Sequence, residues 1–245
     1  VNQGGNTYEL QHYLPGECFD LENGARREAA ARLLGVYHES VGGFDQPALH
    51  RSRERYGPQA LARTIYGLQV DWGEHGLASV QPLVRELAWH AQDLADRFAG
   101  FRAFPELVIH GDYHAGNLIM QGDRVIGVVD YDLAHWCSRA FEVAEALIAF
   151  ATDRRLNLQH IVYPGALDLE MAHSFLVAYA EEARLSDAEL QELPDLVRTI
   201  WLCAALNPPL KPRFGLEEAT QALPEVLMLA EWARTHAAEL IEVAM

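Results

Sequence analysis

The sequence contains one lysine, Lys211, and its 19 basic residues are outnumbered by 35 acidic ones, giving a formal charge of −16. A phosphate backbone demands clustered Lys and Arg, so nucleic acid is excluded as a partner. Cysteine is scarce: Cys18, Cys137 and Cys203 are too few and too widely spaced for a disulfide framework or a paired-thiolate metal site. No uncharged run approaches the length of a membrane helix, which excludes a membrane partner of that kind. The sequence given begins at Val1 without Met, no signal peptide is visible within it, and a cytoplasmic location is the default expectation. No internal repeat or low-complexity tract interrupts the chain. Half of the 245 residues are hydrophobic, enough to bury one sizeable core.

The chemistry is concentrated in His110-Gly111-Asp112-Tyr113-His114-Ala115-Gly116-Asn117, followed by Val128-Val129-Asp130-Tyr131-Asp132. An Asp that orients an attacking hydroxyl, then four residues, then an Asn that holds magnesium, is the order phosphoryl transfer uses. Asp112 and Asn117 have that spacing. Leu118-Ile119-Met120 and Val125-Ile126-Gly127-Val128-Val129 flank Gln121-Gly122-Asp123-Arg124 and read as two strands joined by a tight turn. A turn centred between Gly122 and Asp123 sets position 117 opposite 128. Asp130 then follows by about two residues, roughly 7 Å at strand rise. One Mg2+ could reach both side chains, because magnesium takes one or two protein oxygens and completes its shell with water and phosphate.

A competing reading makes His110, Asp112 and His114 transition-metal ligands of a hydrolase, with His135 the nearest fourth candidate. A purely structural role, with the polar side chains capping turns, is the plainest alternative. Five constrained positions joined by a hairpin of fitting length favour the phosphoryl-transfer reading.

This segment resembles the catalytic core of the aminoglycoside phosphotransferase and choline kinase superfamily of small-molecule kinases. Gly111 stands where protein kinases carry Arg, and Asp130-Tyr131-Asp132 follows the Asp-x-Asp variant of the metal turn. The resemblance implies Asp112 as catalytic base, His110 as a brace of the loop, Asn117 and Asp130 as magnesium ligands, and Asp132 as an additional metal contact. It implies ATP as phosphoryl donor and the hydroxyl of a small, cationic molecule such as an aminoglycoside, choline or an amino alcohol as acceptor. The acidic surface could steer such a substrate, although acidity also serves solubility alone. By the same resemblance the alternating strand 8–14, stopped by Pro15-Gly16, is the hinge between lobes. Gln11, His12 and Leu14 then lie along the adenine edge, with Ile119 and Val129 as its apolar floor, positions that are ordinary core residues if no nucleotide binds.

The family's small lobe carries a glycine-rich loop and a strand lysine over the phosphates. This sequence has neither ahead of the hinge, and Gln3-Gly4-Gly5-Asn6 reads as a hairpin turn. The expectation is a chain with residues 1–16 as a small-lobe remnant and hinge and 17–245 as a large helical lobe, poorly active by itself. A non-catalytic pseudokinase is the alternative, which the retained Asp112, Asn117 and Asp130 oppose.

The fold class expected is α+β: a protein-kinase-like large lobe, mainly helical, around a short catalytic hairpin. Val84, Leu87, Ala91, Leu94 and Phe98 recur at helical spacing, predicting a helix that backs the catalytic loop. Leu107-Val108-Ile109 reads as a buried strand delivering His110. Residues 141–151 are apolar nearly all round and read as a central helix. Its Glu142 is either an acid bonded to the catalytic loop, as in relatives, or a plain solvent-facing residue. Helices are also predicted over 167–183, 187–205 and 216–244, with a capping box from Ser186 and Glu189. Phe175 to Tyr179, Leu185-Ser186 and Glu192-Leu193-Pro194 resemble the homoserine-kinase-like branch. The stretch 42–79 reads as an irregular connection. The five tryptophans read as packing residues, with Trp136 near enough to the metal turn to touch substrate. Oligomeric state has no signal.

Overall fold

The computed structural model describes residues 2–3, 6–7, 12–45, 49, 61, 65, 80–97, 104–153, 165–206 and 216–245. Two short strands, β1 (Asn2–Gln3) and β2 (Asn6–Thr7), pair antiparallel, Asn2 with Thr7 and Gln3 with Asn6, while Gly4 and Gly5 lie outside the described residues. Helix α1 (Gly24–Val41) follows the hinge, and α2 (Gln81–Arg97) comes after it. Strand β3 (Glu106–Ile109) leads into the catalytic loop, a 3-10 turn at Ala115–Asn117 closes it, and β4 (Leu118–Gln121) and β5 (Arg124–Val128) form the hairpin. Strand β6 (His135–Ser138) then pairs antiparallel with β3. The rest is helical: α3 (Arg139–Phe150), α4 (Leu169–Ala180), α5 (Asp187–Leu206), α6 (Leu216–Thr235) and α7 (Ala237–Ala244). The architecture is α+β, helices around three two-stranded pairings.

Helix α3 is the centre of the core. Val143, Ala144, Ala146, Leu147 and Ile148 have no exposed surface, which an all-round apolar helix requires. Its N-terminus is capped by the Ser138 hydroxyl, which accepts from Ala140 N–H. At its other end the buried Arg27 of α1 donates to the Phe150 carbonyl at 2.9 Å, a cation at the negative end of the helix dipole.

Three predicted elements need correction. The helix behind the catalytic strand is α1, not α2: Tyr37 donates to the Val108 carbonyl and Tyr113 reaches back to the Ala30 carbonyl, whereas α2 packs on α6. Helix α1 has little apolar periodicity because Arg27, Gly35 and His38 lie on its buried face. The predicted helix 216–244 is interrupted at His236. There Thr235 Oγ1 donates to the Glu231 and Trp232 carbonyls, competing with the helical ladder. Trp89 is half exposed instead of packed inside, and the Arg198 guanidinium lies over its ring. Region 42–79 falls almost wholly outside the described residues.

The Ser186–Glu189 capping box forms in both directions: Ser186 N–H donates to Glu189 Oε2 at 2.8 Å, and Glu189 N–H donates to Ser186 Oγ at 3.3 Å. Glu189 also accepts from Arg139 at 2.9 Å, so the start of α5 is pinned to the start of α3.

A buried polar group joins α2 to α5. Arg198 donates through Nε to His90 Nδ1 at 3.0 Å and through Nη1 to Asp93 Oδ2 at 2.5 Å. Burial first, and then the Arg198 charge, lower the His90 pKa to about 4 from 6.5. The donated hydrogen bond agrees, since Nδ1 can accept only while it carries no proton. The unfolded chain takes up the His90 proton near pH 6.5 and the folded protein resists it until about 4. Stability therefore declines as pH falls through that window, by about 3 kcal/mol from this group. Urea unfolding at pH 7 and pH 4.5 measures the decline, and His90→Gln removes this part of it.

Candidate active site

The loop after β3 turns sharply at Gly111, whose φ of +76° lies in the left-handed region. A Cβ there would sit 2.4 Å from the Leu133 carbonyl oxygen, so only glycine fits this crossing of the loop and the metal turn. The Gly111 N–H donates to Glu142 Oε1 at 2.7 Å. Glu142 is fully buried, which excludes the solvent-facing reading. Its other oxygen meets His38 Nε2 at 2.8 Å, and His38 Nδ1 meets the Tyr179 hydroxyl at 2.8 Å. A chain of buried polar contacts thus runs from α4 through α1 and α3 to the loop. His38 and Tyr179 escaped sequence reasoning. A lone His on an otherwise apolar stretch gives no sign that it bridges two distant residues.

Asp112 is partly open to solvent, as the expected base would have to be. Asn117 donates from Nδ2 to the Asp112 backbone carbonyl at 2.9 Å and to its carboxylate Oδ2 at 3.2 Å. Both amide protons are directed at Asp112, which leaves Asn117 Oδ1 as a free oxygen donor. His114 accepts from Gly116 N–H through Nδ1, so its Nε2 bears the proton, 3.5 Å from Asp112 Oδ2.

The hairpin register differs from the expected one. Leu118 pairs with Val128 and Gln121 with Arg124, the difference being absorbed by a bulge between Ile119 and Met120. Val129 N–H consequently donates to the Asn117 carbonyl at 3.0 Å. Asp130 is thus one residue beyond the partner of Asn117 instead of two. Asp130 has φ +67°, the one described non-glycine residue with positive φ, a strain that recurs where backbone is held for function. Among the described residues neither Asp130 nor Asp132 forms an ion pair, and both are exposed. Exposed carboxylates one and three residues beyond the Val129–Asn117 backbone bond are of the hard oxygen type that a divalent cation takes.

His110 is buried, and its Nε2 meets the Val129 carbonyl at 3.0 Å while the ring lies 4.5 Å from that of Tyr131. It therefore ties the catalytic loop to the metal turn instead of facing a substrate. Among the described residues no three His, Cys, Asp or Glu side chains are grouped to hold a metal, so the hydrolase reading finds no site there. Trp136 faces Val108 across the β3–β6 pair and donates from Nε1 to Glu106.

The segment expected to be the hinge lies on the hairpin. Glu17 pairs with Met120 through two backbone bonds, 2.8 and 3.0 Å. A Cβ at Gly16 would stand 2.3 Å from Ile119 Cγ2, and one at Gly127 would stand 2.8 Å from Leu14 Cδ1, so Leu14 and Ile119 meet over β4 and β5. Arg26 binds Glu17 at 2.6 Å, and Asn23 binds Asp123 in the hairpin turn at 3.0 Å, fixing hinge, helix and hairpin together. His12 is exposed and Val129 half-buried. Gln11 lies outside the described residues.

Burial, followed by the charges of Glu142 and Asp112, pushes the Glu145 carboxyl well above the usual carboxylate range. Its Oε2 is shielded from solvent and has no hydrogen-bond partner among the described residues.

A phosphotransferase enzyme family matches residues 2–166, the span holding the hinge, the loop and the metal turn. The chain belongs to that family. A homoserine kinase of Phenylobacterium zucineum is 28% identical over 194 residues, 78% of this chain and 54% of the relative. This phosphotransferase-family chain thus spans about half the length of that curated relative. An aminoglycoside phosphotransferase from Alicyclobacillus acidocaldarius superposes with a TM-score of 0.63 at 16% identity, covering 100% of this chain and 74% of that one. An ethanolamine kinase of Plasmodium vivax gives 0.59 at 14% identity, over 91% and 65%. These two likenesses establish a fold shared with the kinase-like phosphotransferases. Among the described residues no helix is long and apolar enough to cross a membrane.

Proposed function

We propose that this protein transfers the γ-phosphoryl group of ATP to the hydroxyl of a small amino alcohol. The observation that carries the reading is the connection of three groups: Asn117 clasps the Asp112 carboxylate, and the Asn117 carbonyl holds the Val129 N–H just before Asp130. The acceptor hydroxyl would bond to Asp112. Its oxygen attacks the γ-phosphorus, the bond to the β-bridging oxygen breaks, and the hydroxyl proton passes to Asp112. ADP leaves with the bridging oxygen.

Magnesium, held by Asn117 Oδ1 and the Asp130 carboxylate with Asp132 close by, would offset the phosphate charge. His110 keeps loop and turn in register, and Glu142 holds the loop through Gly111. Leu14, Ile119 and Val129 would flank the adenine, and the backbone at Gln11 and His12 would read its edge. The homoserine kinase and ethanolamine kinase among the similar proteins support an acceptor with both an amine and a hydroxyl.

ATP consumption by the purified protein with homoserine, ethanolamine, choline, aminoglycosides and sugars tests this. Magnesium-dependent turnover with amino alcohols is expected. Turnover that is absent with every hydroxyl acceptor, or that persists in excess chelator, contradicts it.

A further inference from the structure

Asp112 stands between two residues that are each tied to helix α1, one directly and one through Glu142. Tyr113 donates from its hydroxyl to the Ala30 carbonyl at 2.8 Å. Gly111 N–H donates to Glu142 Oε1 at 2.7 Å, and Glu142 Oε2 meets His38 Nε2 of α1 at 2.8 Å. The second tie governs the loop, because Gly111 sits at φ +76° and has no side chain to hold it there. A glycine's conformation has to be imposed from outside, here through the bond its N–H makes.

The far end of the chain of contacts decides which proton lies between His38 and Glu142. Gly35, one turn before His38, lets α1 approach the end of α4 so closely that a Cβ there would stand 2.9 Å from Glu182 Cβ and 3.0 Å from the Tyr179 carbonyl oxygen. That approach brings the Tyr179 hydroxyl to 2.8 Å from His38 Nδ1. Burial raises the Tyr179 pKa above its ordinary value of 10, so the hydroxyl keeps its proton. A neutral imidazole has one donor and one acceptor nitrogen. With Tyr179 donating to Nδ1, Nε2 carries the ring hydrogen and donates to Glu142, and each of these protons has an acceptor. The opposite tautomer demands a proton on the Glu142 carboxyl and takes from the Tyr179 hydrogen the acceptor it has here, a costly arrangement for buried groups.

We propose that His38 is a positioning residue for phosphoryl transfer: held by Tyr179 in the tautomer with hydrogen on Nε2, it fixes Glu142 as the acceptor of the Gly111 N–H and so aims the Asp112 carboxylate. The inference rests on the transfer reading for what Asp112 does. The His38 side chain has no exposed surface and meets no substrate. It acts on geometry alone, where a displacement of about 1 Å costs on the order of 100-fold in rate.

Two substitutions separate this role from packing. Gln carries an amide N–H to the place of Nε2 and keeps a donor for Glu142, whereas Asn ends at the level of Nδ1, facing Tyr179, and falls short of Glu142. Both lose the ring, so both should lower the melting temperature. His38→Asn should also lower kcat by about 30-fold with KM for ATP and the amino alcohol within about twofold, and His38→Gln should keep kcat within about threefold of wild type. Exchange of the Gly111 amide hydrogen, followed by NMR without substrate, should be about tenfold faster or more in His38→Asn than in wild type or His38→Gln. Nitrogen-15 spectra of the wild-type imidazole should show hydrogen on Nε2 and a bare Nδ1, and Tyr179→Phe, which deletes one oxygen, should mix the tautomers and lower kcat by about fivefold. Equal kcat or equal Gly111 exchange in the two His38 variants overturns the proposal, as does hydrogen on Nδ1 in the wild type. An unchanged tautomer and kcat in Tyr179→Phe overturns it even where the His38 variants do not fold. Absence of transfer to every hydroxyl acceptor would reject the transfer reading, while the tautomer and the Gly111 exchange would still decide how His38 holds the loop, so the two failures are distinguishable.

Discussion

Asp112→Asn lowers phosphoryl transfer by about 1,000-fold while nucleotide affinity stays within about twofold. The substitution preserves shape and keeps an oxygen for the Asn117 amide, which donates 3.2 Å away to Oδ2. What it removes is the ability to take the acceptor's proton. On the proposed reading nucleotide is gripped elsewhere, at residues 11–14 and 130, so its affinity is a control for folding. Transfer rates and equilibrium binding of a fluorescent ATP analogue check both halves. Loss of nucleotide binding in step with activity would mean that the variant disturbs the loop as a whole.

Asp130→Asn has the second large effect, a loss of about 100-fold or more in turnover at fixed magnesium, partly recovered at high magnesium. Asn is among the residues best suited to positive φ, so the +67° backbone at 130 is retained and only the charge is lost. Asp132→Asn should cost far less, because Asp132 lies two residues farther from the Asn117–Val129 hydrogen bond. Magnesium titrations of turnover for both variants separate the two carboxylates. Equal losses would make them joint ligands and revise the order of the turn.

How legible these features were depended on what each residue is asked to do. Asp112, Asn117 and Asp130 stood out as candidates because metal and proton chemistry would restrict the residue type at each position, and strand geometry restricts the spacing. The spacing argument erred by one residue. Arithmetic from a turn assumes an unbroken ladder, and the bulge after Ile119 adds a residue to the β5 side. Helix α3 was legible from its uninterrupted apolar surface. Helix α1 was not, because its buried face includes Arg27 and His38, each satisfied by a partner more than 100 positions away. The same cause left Glu142 ambiguous: only the fold shows that an acid at that position meets both an N–H of the loop and a histidine. Strand β6, His-Trp-Cys-Ser, alternates too weakly to stand out, and its pairing with β3 is a long-range event.

The claim on which the account depends is that Asn117 and Asp130 serve one nucleotide-dependent cation beside Asp112. Electron paramagnetic resonance of Mn2+ with a non-hydrolysable ATP analogue tests it most directly. The account predicts that bound Mn2+ appears only when the analogue is present, is lost in Asn117→Ala and Asp130→Asn, and persists in Asp112→Asn. Tight Mn2+ binding without nucleotide, or a nucleotide-dependent signal unchanged by both ligand substitutions, would contradict it.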